Sequence, residues 1–251
     1  MPEQQAQLDR KLVRRRGKRY ATVANLLDRE KLYQPQEAME LVKTLATAKF
    51  DETIEVHMRL GIDPRHADQQ VRGVVIMPAG LGKMVRIAVF AEGDAARIAE
   101  DAGADIVGGD ELVDRIQNES FFEFDTVIAV PDMMRKISRL GRVLGPRGLM
   151  PNPKAGTVVP AEDIPRVIEE ARAGRVEFRN DKTANLHVPI GKASFTVDQL
   201  LQNFTAIMDA IRRARPAAAK GAYIRKLVVK STMSPGIKID PYAALELASK
   251  A

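Results

Sequence analysis

The stretch Thr53-Ile-Glu-Val-His-Met-Arg-Leu60 alternates without a break between apolar and polar side chains. Ile54, Val56, Met58 and Leu60 share one face, and Thr53, Glu55, His57 and Arg59 share the other, which is the period of a β-strand. Such a strand buries one face and leaves the second polar. Upstream, Gln34-Pro35 opens a predicted helix in which Ala38, Leu41, Val42 and Leu45 recur at three- and four-residue steps, with proline in the first turn. Downstream, Arg72 to Met77 reads as a second strand. It stops at Pro78-Ala-Gly-Leu-Gly82, a hinge composition with Gly80 and Gly82 as its flexible points.

Beyond that hinge the pattern changes. Lys83–Ala91, Asp105–Gly109 and Asp125–Val130 read as short apolar strands. Asp94–Ala102 and Asp110–Gln117 read as helices between them, the latter capped by Asp110. A further helix begins at Pro131-Asp132, a Gly/Pro-rich loop runs from Gly145 to Gly156, and Ile164, Val167, Ile168 and Ala171 mark a helix closed by Gly174. Alternating strands and helices predict a small parallel layer. From Arg175 the pattern is antiparallel: strands Val176–Arg179 and Leu186–Pro189 are joined by the turn Asn180–Asn185. The helix Val197–Ala214 carries Leu200, Leu201, Phe204, Ile207, Met208 and Ile211 as its buried stripe, and Tyr223–Lys230 is a last strand. The expected fold is α/β: a discontinuous α+β domain of residues 1–78 and 175–251, its strands forming one sheet, with a Rossmann-like parallel α/β domain inserted at 79–174.

Charge separates the same regions. Met1–Tyr20 holds seven Lys/Arg against two acids, and Asn203–Lys238 eight against Asp209 alone. Gly80–Val130 holds four basic residues against eleven acidic. Two basic regions flanking an acidic one favour a polyanionic partner. No amphipathic Lys/Arg helix with exposed Trp or Phe makes that polyanion a membrane, so nucleic acid is expected. There is no run of eighteen apolar residues and no secretory or transit signature at the amino terminus. Without cysteine there is no disulfide framework or thiolate metal site, which fits a soluble cytoplasmic protein. With aromatics at 5% and no Trp, broad base-stacking platforms are not the expected binding mode.

Catalytic motifs are missing. His57, His66 and His187 have no spacing suited to a shared metal. Gly80-Leu-Gly82-Lys83 fails as a phosphate loop, because Met77 and Met84 stand where Gly and Ser/Thr are needed and a strand follows where a helix should. The expectation is a non-enzymatic protein without cofactor or metal.

The basic run from Arg135 to Lys154 carries six Lys/Arg and no acid, and its Gly and Pro residues suit a rigid loop with backbone open to phosphates. Four other segments accompany it in order: Ala48-Lys-Phe-Asp-Glu-Thr53, Gly61-Ile-Asp-Pro-Arg…Gly73, Asp181-Lys-Thr…Lys192, and Lys220-Gly…Ser231-Thr-Met-Ser-Pro-Gly236. Together, over about Gly17 to Asp240, they resemble the bacterial large-subunit ribosomal protein L1 family.

That resemblance implies a two-domain protein of the ribosome's mobile side stalk, near the transfer-RNA exit site. It also implies binding of stalk ribosomal RNA, help in releasing deacylated tRNA, repression of the protein's own messenger RNA, and a monomer when free. An extraribosomal nucleic-acid chaperone or enzyme on a similar scaffold is the alternative. RNA contacts implied by the family fall on Lys49, Phe50, Thr53, Glu55, Asp181, Lys182, Ser231, Thr232, Met233 and Gly236. Arg142, Arg147 and Lys154 are secondary contacts, and Gly80, Gly82 and Gly174 are hinge positions. Lys49 and Lys182 would meet phosphates, and the hydroxyls of Thr53, Ser231 and Thr232, with Glu55, would meet 2′-hydroxyls. Phe50 and Met233 each have two readings, nucleotide contact or core. The family usually has Gly where Ser234 stands; a positive φ there would strain a serine.

Overall fold

A computed structural model describes residues 17–250, so most of the basic amino-terminal tail lies outside the described residues. In chain order the elements are α1 (Lys18–Ala24), α2 (Pro35–Leu45), β1 (Thr53–Leu60), β2 (Arg72–Ile76), β3 (Ile87–Phe90), α3 (Asp94–Asp101), β4 (Ile106–Gly108), α4 (Asp110–Glu119) and β5 (Thr126–Ala129). Short helical turns follow between Pro131 and Leu144. Then come α5 (Ile164–Arg172), β6 (Arg175–Arg179), β7 (Asn185–Lys192), α6 (Val197–Arg213), β8 (Ile224–Ser231), β9 (Ile237–Ile239) and α7 (Pro241–Lys250). The chain divides into two compact units, one running up to Gly82 and resuming at Val176, the other spanning Lys83–Arg175.

In the first unit an antiparallel sheet has the order β7-β1-β8-β9, so β1 is flanked on both sides. The face read from alternation is the buried one: Ile54, Val56, Met58 and Leu60 are at most 2% exposed. They share one core with Ala38, Met39, Val42 and Leu45 of α2 and with Leu200, Phe204, Ile207, Met208 and Ile211 of α6. Each of the larger side chains among them (Val, Leu, Ile, Met and Phe) contributes about 1.5–3 kcal/mol by leaving water, and that sum fixes which face of the sheet is free. The α6 helix starts at a capping box in which the Gln199 N–H donates to the Thr196 hydroxyl (3.2 Å) and the Thr196 N–H donates to Gln199 Oε1 (2.9 Å). Its last-turn Arg212 and Arg213 both pair with Asp209.

Several expectations need correction. The strands of this unit form two sheets, because β2 and β6 pair only with each other. β6 and β7 are therefore not hairpin partners: β7 lies along β1, and the turn at Asn180–Asn185 carries the chain from one sheet to the other. The sequence pattern does not show α1, β9 or α7. The hinge glycines Gly80 and Gly82 have φ of 70° and 66° and belong to the first unit. There the buried Asn203 amide accepts from Ala79 N–H and donates to the carbonyls of Gly80 and Ile190. A Cβ at Gly82 would come within 2.6 Å of the Phe195 ring.

The second unit is a three-stranded parallel sheet of order β4-β3-β5. Alternate residues of β3 feed different cores. Ala88 and Phe90 pack with α4 and the turns around Ile137 and Leu140, while Ile87 and Val89 pack with Ala99 of α3 and Val167 and Ile168 of α5. A sheet covered on both faces explains why its strands read as apolar runs. The first strand is shorter than its pattern suggested, with Met84 93% exposed before it begins. The cap of α4 is Gly109, and Asp110 is the first helical residue. Gly174 (φ 98°) ends the turn after α5. No helix among the described residues is long and apolar enough to cross a membrane.

Candidate nucleic-acid interface

The start of β1 and the end of β8 lie side by side, with Ile54 opposite Ser231 and Thr53 opposite Lys192 of β7. This register gathers the segments 49–55 and 231–236 at one end of the sheet. Phe50 is 55% and Met233 48% exposed, so both side chains are outside the core, and Lys49 is exposed beside them. Thr53 N–H donates to the Thr232 hydroxyl (3.1 Å), which returns a bond to the Thr53 carbonyl (3.3 Å). The Lys192 ammonium donates to Thr53 Oγ1 (2.8 Å). Asp51 accepts from the Ser194 N–H and hydroxyl, closing the adjacent turn.

Beneath these groups is a carboxylate that the family resemblance did not single out. Glu52 is 1% exposed. It accepts from Ala48 N–H (2.8 Å), the Ser231 hydroxyl (2.7 Å) and Met233 N–H (2.8 Å), with Arg19 at 4.0 Å. Burial pushes its pKa up, but the three donors and Arg19 outweigh burial and hold it below the usual carboxylate range. The role expected for Ser231 changes accordingly. Its side chain is fully buried and its hydroxyl is spent on Glu52, so it cannot meet a ribose. Ser234 does not occupy the left-handed region. It is 7% exposed, accepts from Ser231 N–H (2.9 Å) and donates to the Pro235 carbonyl (3.0 Å), so the serine closes the turn from within. Gly236 is needed for closeness instead: a Cβ there would lie 2.8 Å from Val228.

Asp181 and Lys182 are not part of this cluster. They precede β7, whose first residue Asn185 lies opposite Arg59, and β1 carries the chain from Arg59 back to Thr53 at about 3.4 Å per residue. Asp181 spends both carboxylate oxygens on Thr183 and Asn185. Burial raises its pKa, yet these donors win and hold it at about 2. The turn it builds presents Lys182 to solvent.

The free face of the sheet joins the two ends. Across it run Thr53 and Lys192, then Pro189, Glu55 and Lys230, then His187, His57, Val228 and Lys238, then Asn185, Arg59 and Lys226. Five cations against one carboxylate in these rows give the face a positive balance. Two histidines that looked scattered in sequence are cross-strand neighbours, with Nδ1 atoms 2.6 Å apart and so sharing a proton. Glu55 lies 3.4 Å from the far nitrogen of His57, and Asp181 lies 3.8 Å from that of His187. Both acids are on the outer nitrogens, so they do not complete a chelate. No group of three or more metal-ligating residues occurs among the described residues. Burial lowers the His57 pKa, His187 and Lys230 lower it further, and Glu55 opposes them.

In the second unit the first half of the basic run forms short helical turns that bury Ile137, Leu140 and Leu144. Arg142 and Lys154 point to solvent, and the Arg147 guanidinium stacks 3.8 Å over the Phe122 ring.

The model of the ribosomal protein L1p/L10e family matches residues 41–235, which include every residue placed above in the interface except Gly236, Lys238 and Arg19. Large ribosomal subunit protein uL1 from Chloroflexus aurantiacus, in strains J-10-fl and Y-400-fl, is 58% identical over 231 residues, covering 92% of this chain and 98% of each relative. Such proteins are structural parts of a ribonucleoprotein and not enzymes. With a match across most of its length and relatives this similar, the chain belongs to the ribosomal protein L1p/L10e family.

Proposed function

We propose that this chain is a structural protein of the large ribosomal subunit that grips structured ribosomal RNA of the mobile side stalk with the first unit's sheet. The carrying observation is the pair of solvent-exposed apolar side chains, Phe50 and Met233, on two segments gathered at the same end of a positively charged polar face. Lys49, Lys182, Lys192 and Lys230 supply phosphate contacts that fall away with salt. Phe50 packs on a ribose or base, Met233 adapts to the surface beside it, and Thr53, Glu55 and Thr232 read 2′-hydroxyls. Gly236 lets the loop stay close to β8.

The finer assignments rest on the family resemblance. They are a place near the tRNA exit site with release of deacylated tRNA, repression through a similar fold on the protein's own messenger, a monomeric free state and a cytoplasmic location. Arg142, Arg147 and Lys154 of the second unit supply secondary contacts, and Gly80, Gly82 and Gly174 bracket the insertion. Titration of the protein with a transcribed stalk fragment, alongside Phe50→Ala and Met233→Ala, tests the reading. One-to-one binding, weakened by each substitution and without chemical change of the RNA, is expected. Strand annealing or RNA turnover would favour the chaperone or enzyme alternative, and unchanged affinity in both variants would refute the interface.

A further inference from the structure

A carboxylate next to phosphate-binding lysines works against RNA by charge, so its presence needs a reason. Glu52 is shielded as well as buried: three donors and a guanidinium surround it. Those donors belong to two different turns. Ala48 N–H lies two residues before Phe50, and Ser231 and Met233 form the turn that carries the Met233 side chain. Phe50 and Met233 are too exposed for core packing to fix them, so their positions are inherited from the backbone beneath.

We infer that Glu52 is the positioning residue of the RNA interface, a buried anion that locks the Ala48–Phe50 bend to the Ser231–Met233 turn and so sets the spacing of the two apolar fingers. This deepens the proposed function and rests on it. Glu52 touches no RNA itself. It separates two parts of binding: the lysines give affinity for any RNA, and the fingers give the preference for a particular folded RNA. Arg19 of α1 also donates to the Thr47 hydroxyl (3.2 Å), which ties the basic amino-terminal helix to the same bend.

The test uses the full chain with two probes, the stalk fragment and poly(U), each titrated over a range of salt. In Glu52→Gln an amide N–H₂ must face donors that met an anion, and the lock fails. The stalk dissociation constant is expected to rise about tenfold or more, the scale of a lost charge-assisted bond. Poly(U) binding should stay within about twofold, with an unchanged salt slope. Glu52→Gln combined with Met233→Ala should lose little more than either alone, because both remove the same contact. Ser231→Ala, which removes one donor and keeps the carboxylate, should show the same selective loss in weaker form, and it decides the matter if Glu52→Gln does not fold. Equal losses on both RNAs, additive effects with Met233→Ala, or unchanged stalk affinity in a folded Glu52→Gln would overturn the inference. If Phe50→Ala and Met233→Ala also leave stalk affinity unchanged, the interface itself is misplaced. If they weaken it and Glu52→Gln does not, only the positioning role fails.

Discussion

Replacing residues 83–175 with a Gly/Ser linker of about six residues should leave a folded first unit that keeps most of its affinity for stalk RNA. The core of that unit contains no residue of the insertion. The chain leaves and returns on paired strands: Asn180 N–H donates to the Val71 carbonyl (3.0 Å), Val71 N–H donates to Asn180 Oδ1 (2.7 Å), and Gly73 lies against Phe178. The strands are about 5 Å apart where they pair, and six linker residues, which reach up to about 20 Å, add to the free chain between Ile76 and Gly82. Shortening the connection about sixteenfold is four doublings, stabilising by at most about 2.4 kcal/mol. Cutting at the boundary suggested by composition, 79–174, should behave differently. It removes Ala79 N–H and the Gly80 carbonyl from Asn203, a side chain with no exposure. That leaves Oδ1 and one of the two Nδ2 hydrogens unpaired, the other still bonded to the Ile190 carbonyl, at a cost of about 2–6 kcal/mol, or on the order of 5–20 °C in melting temperature for a unit of this size. Thermal and urea unfolding of the two excisions measure that difference, and equal midpoints would refute the role given to Asn203. RNA titration measures the rest. If the 83–175 excision folds cooperatively yet binds more than about a hundredfold more weakly, roughly 2.8 kcal/mol, the main RNA surface is not in the first unit.

Phe50→Ala is expected to weaken stalk RNA binding by about 1–3 kcal/mol while leaving the melting temperature nearly unchanged, since the ring is more than half exposed. A lowered melting point with normal affinity would make it a packing residue. Ser234→Gly, which restores the residue usual in the family, should lower stability by about 1 kcal/mol by orphaning the buried Ser231 N–H. An unchanged urea midpoint would show that the turn closes without the hydroxyl. Acid should weaken the free fold through His57, whose pKa lies below its ordinary 6.5 because of burial, then His187 and Lys230, against Glu55. A depressed folded pKa makes that contribution fully present above 6.5 and lost as pH falls through the lower folded value. The urea midpoint should therefore drop between pH 7.5 and 5.5 in the native chain and drop less in His57→Gln; equal drops would remove His57 as the cause.

The parts of the fold legible in sequence are those where one face is buried along a regular element. β1 and α6 repeat their apolar positions often enough to fix both type and orientation. Pairing was not legible. β2 and β6 are five residues each and are separated by the whole insertion, so nothing local marks them as partners. β7 follows β6 so closely that a hairpin was the natural reading. β9 has three residues, too few for any period. His57 and His187 meet only through the register of β1 on β7, 130 positions apart.

The hidden half of the interface follows from the alternation carried one step further. Ile54, Val56, Met58 and Leu60 point inward, and the same parity extended back by two reaches Glu52. In β8, Leu227 and Val229 point inward, and the next position of that parity is Ser231. Two polar residues at neighbouring inward positions, beyond the last apolar ones, must find partners in each other or in nearby backbone, or remain unpaired in the core. Glu52 and Ser231 do bond to each other, at 2.7 Å. A further step back reaches Phe50, where parity predicts a core ring and fails. The chain bends over 48–50 before the strand begins at Thr53, and Ala48 N–H, at the start of that bend, is held by Glu52. The same buried carboxylate that parity places inside is thus what turns the aromatic ring out toward solvent.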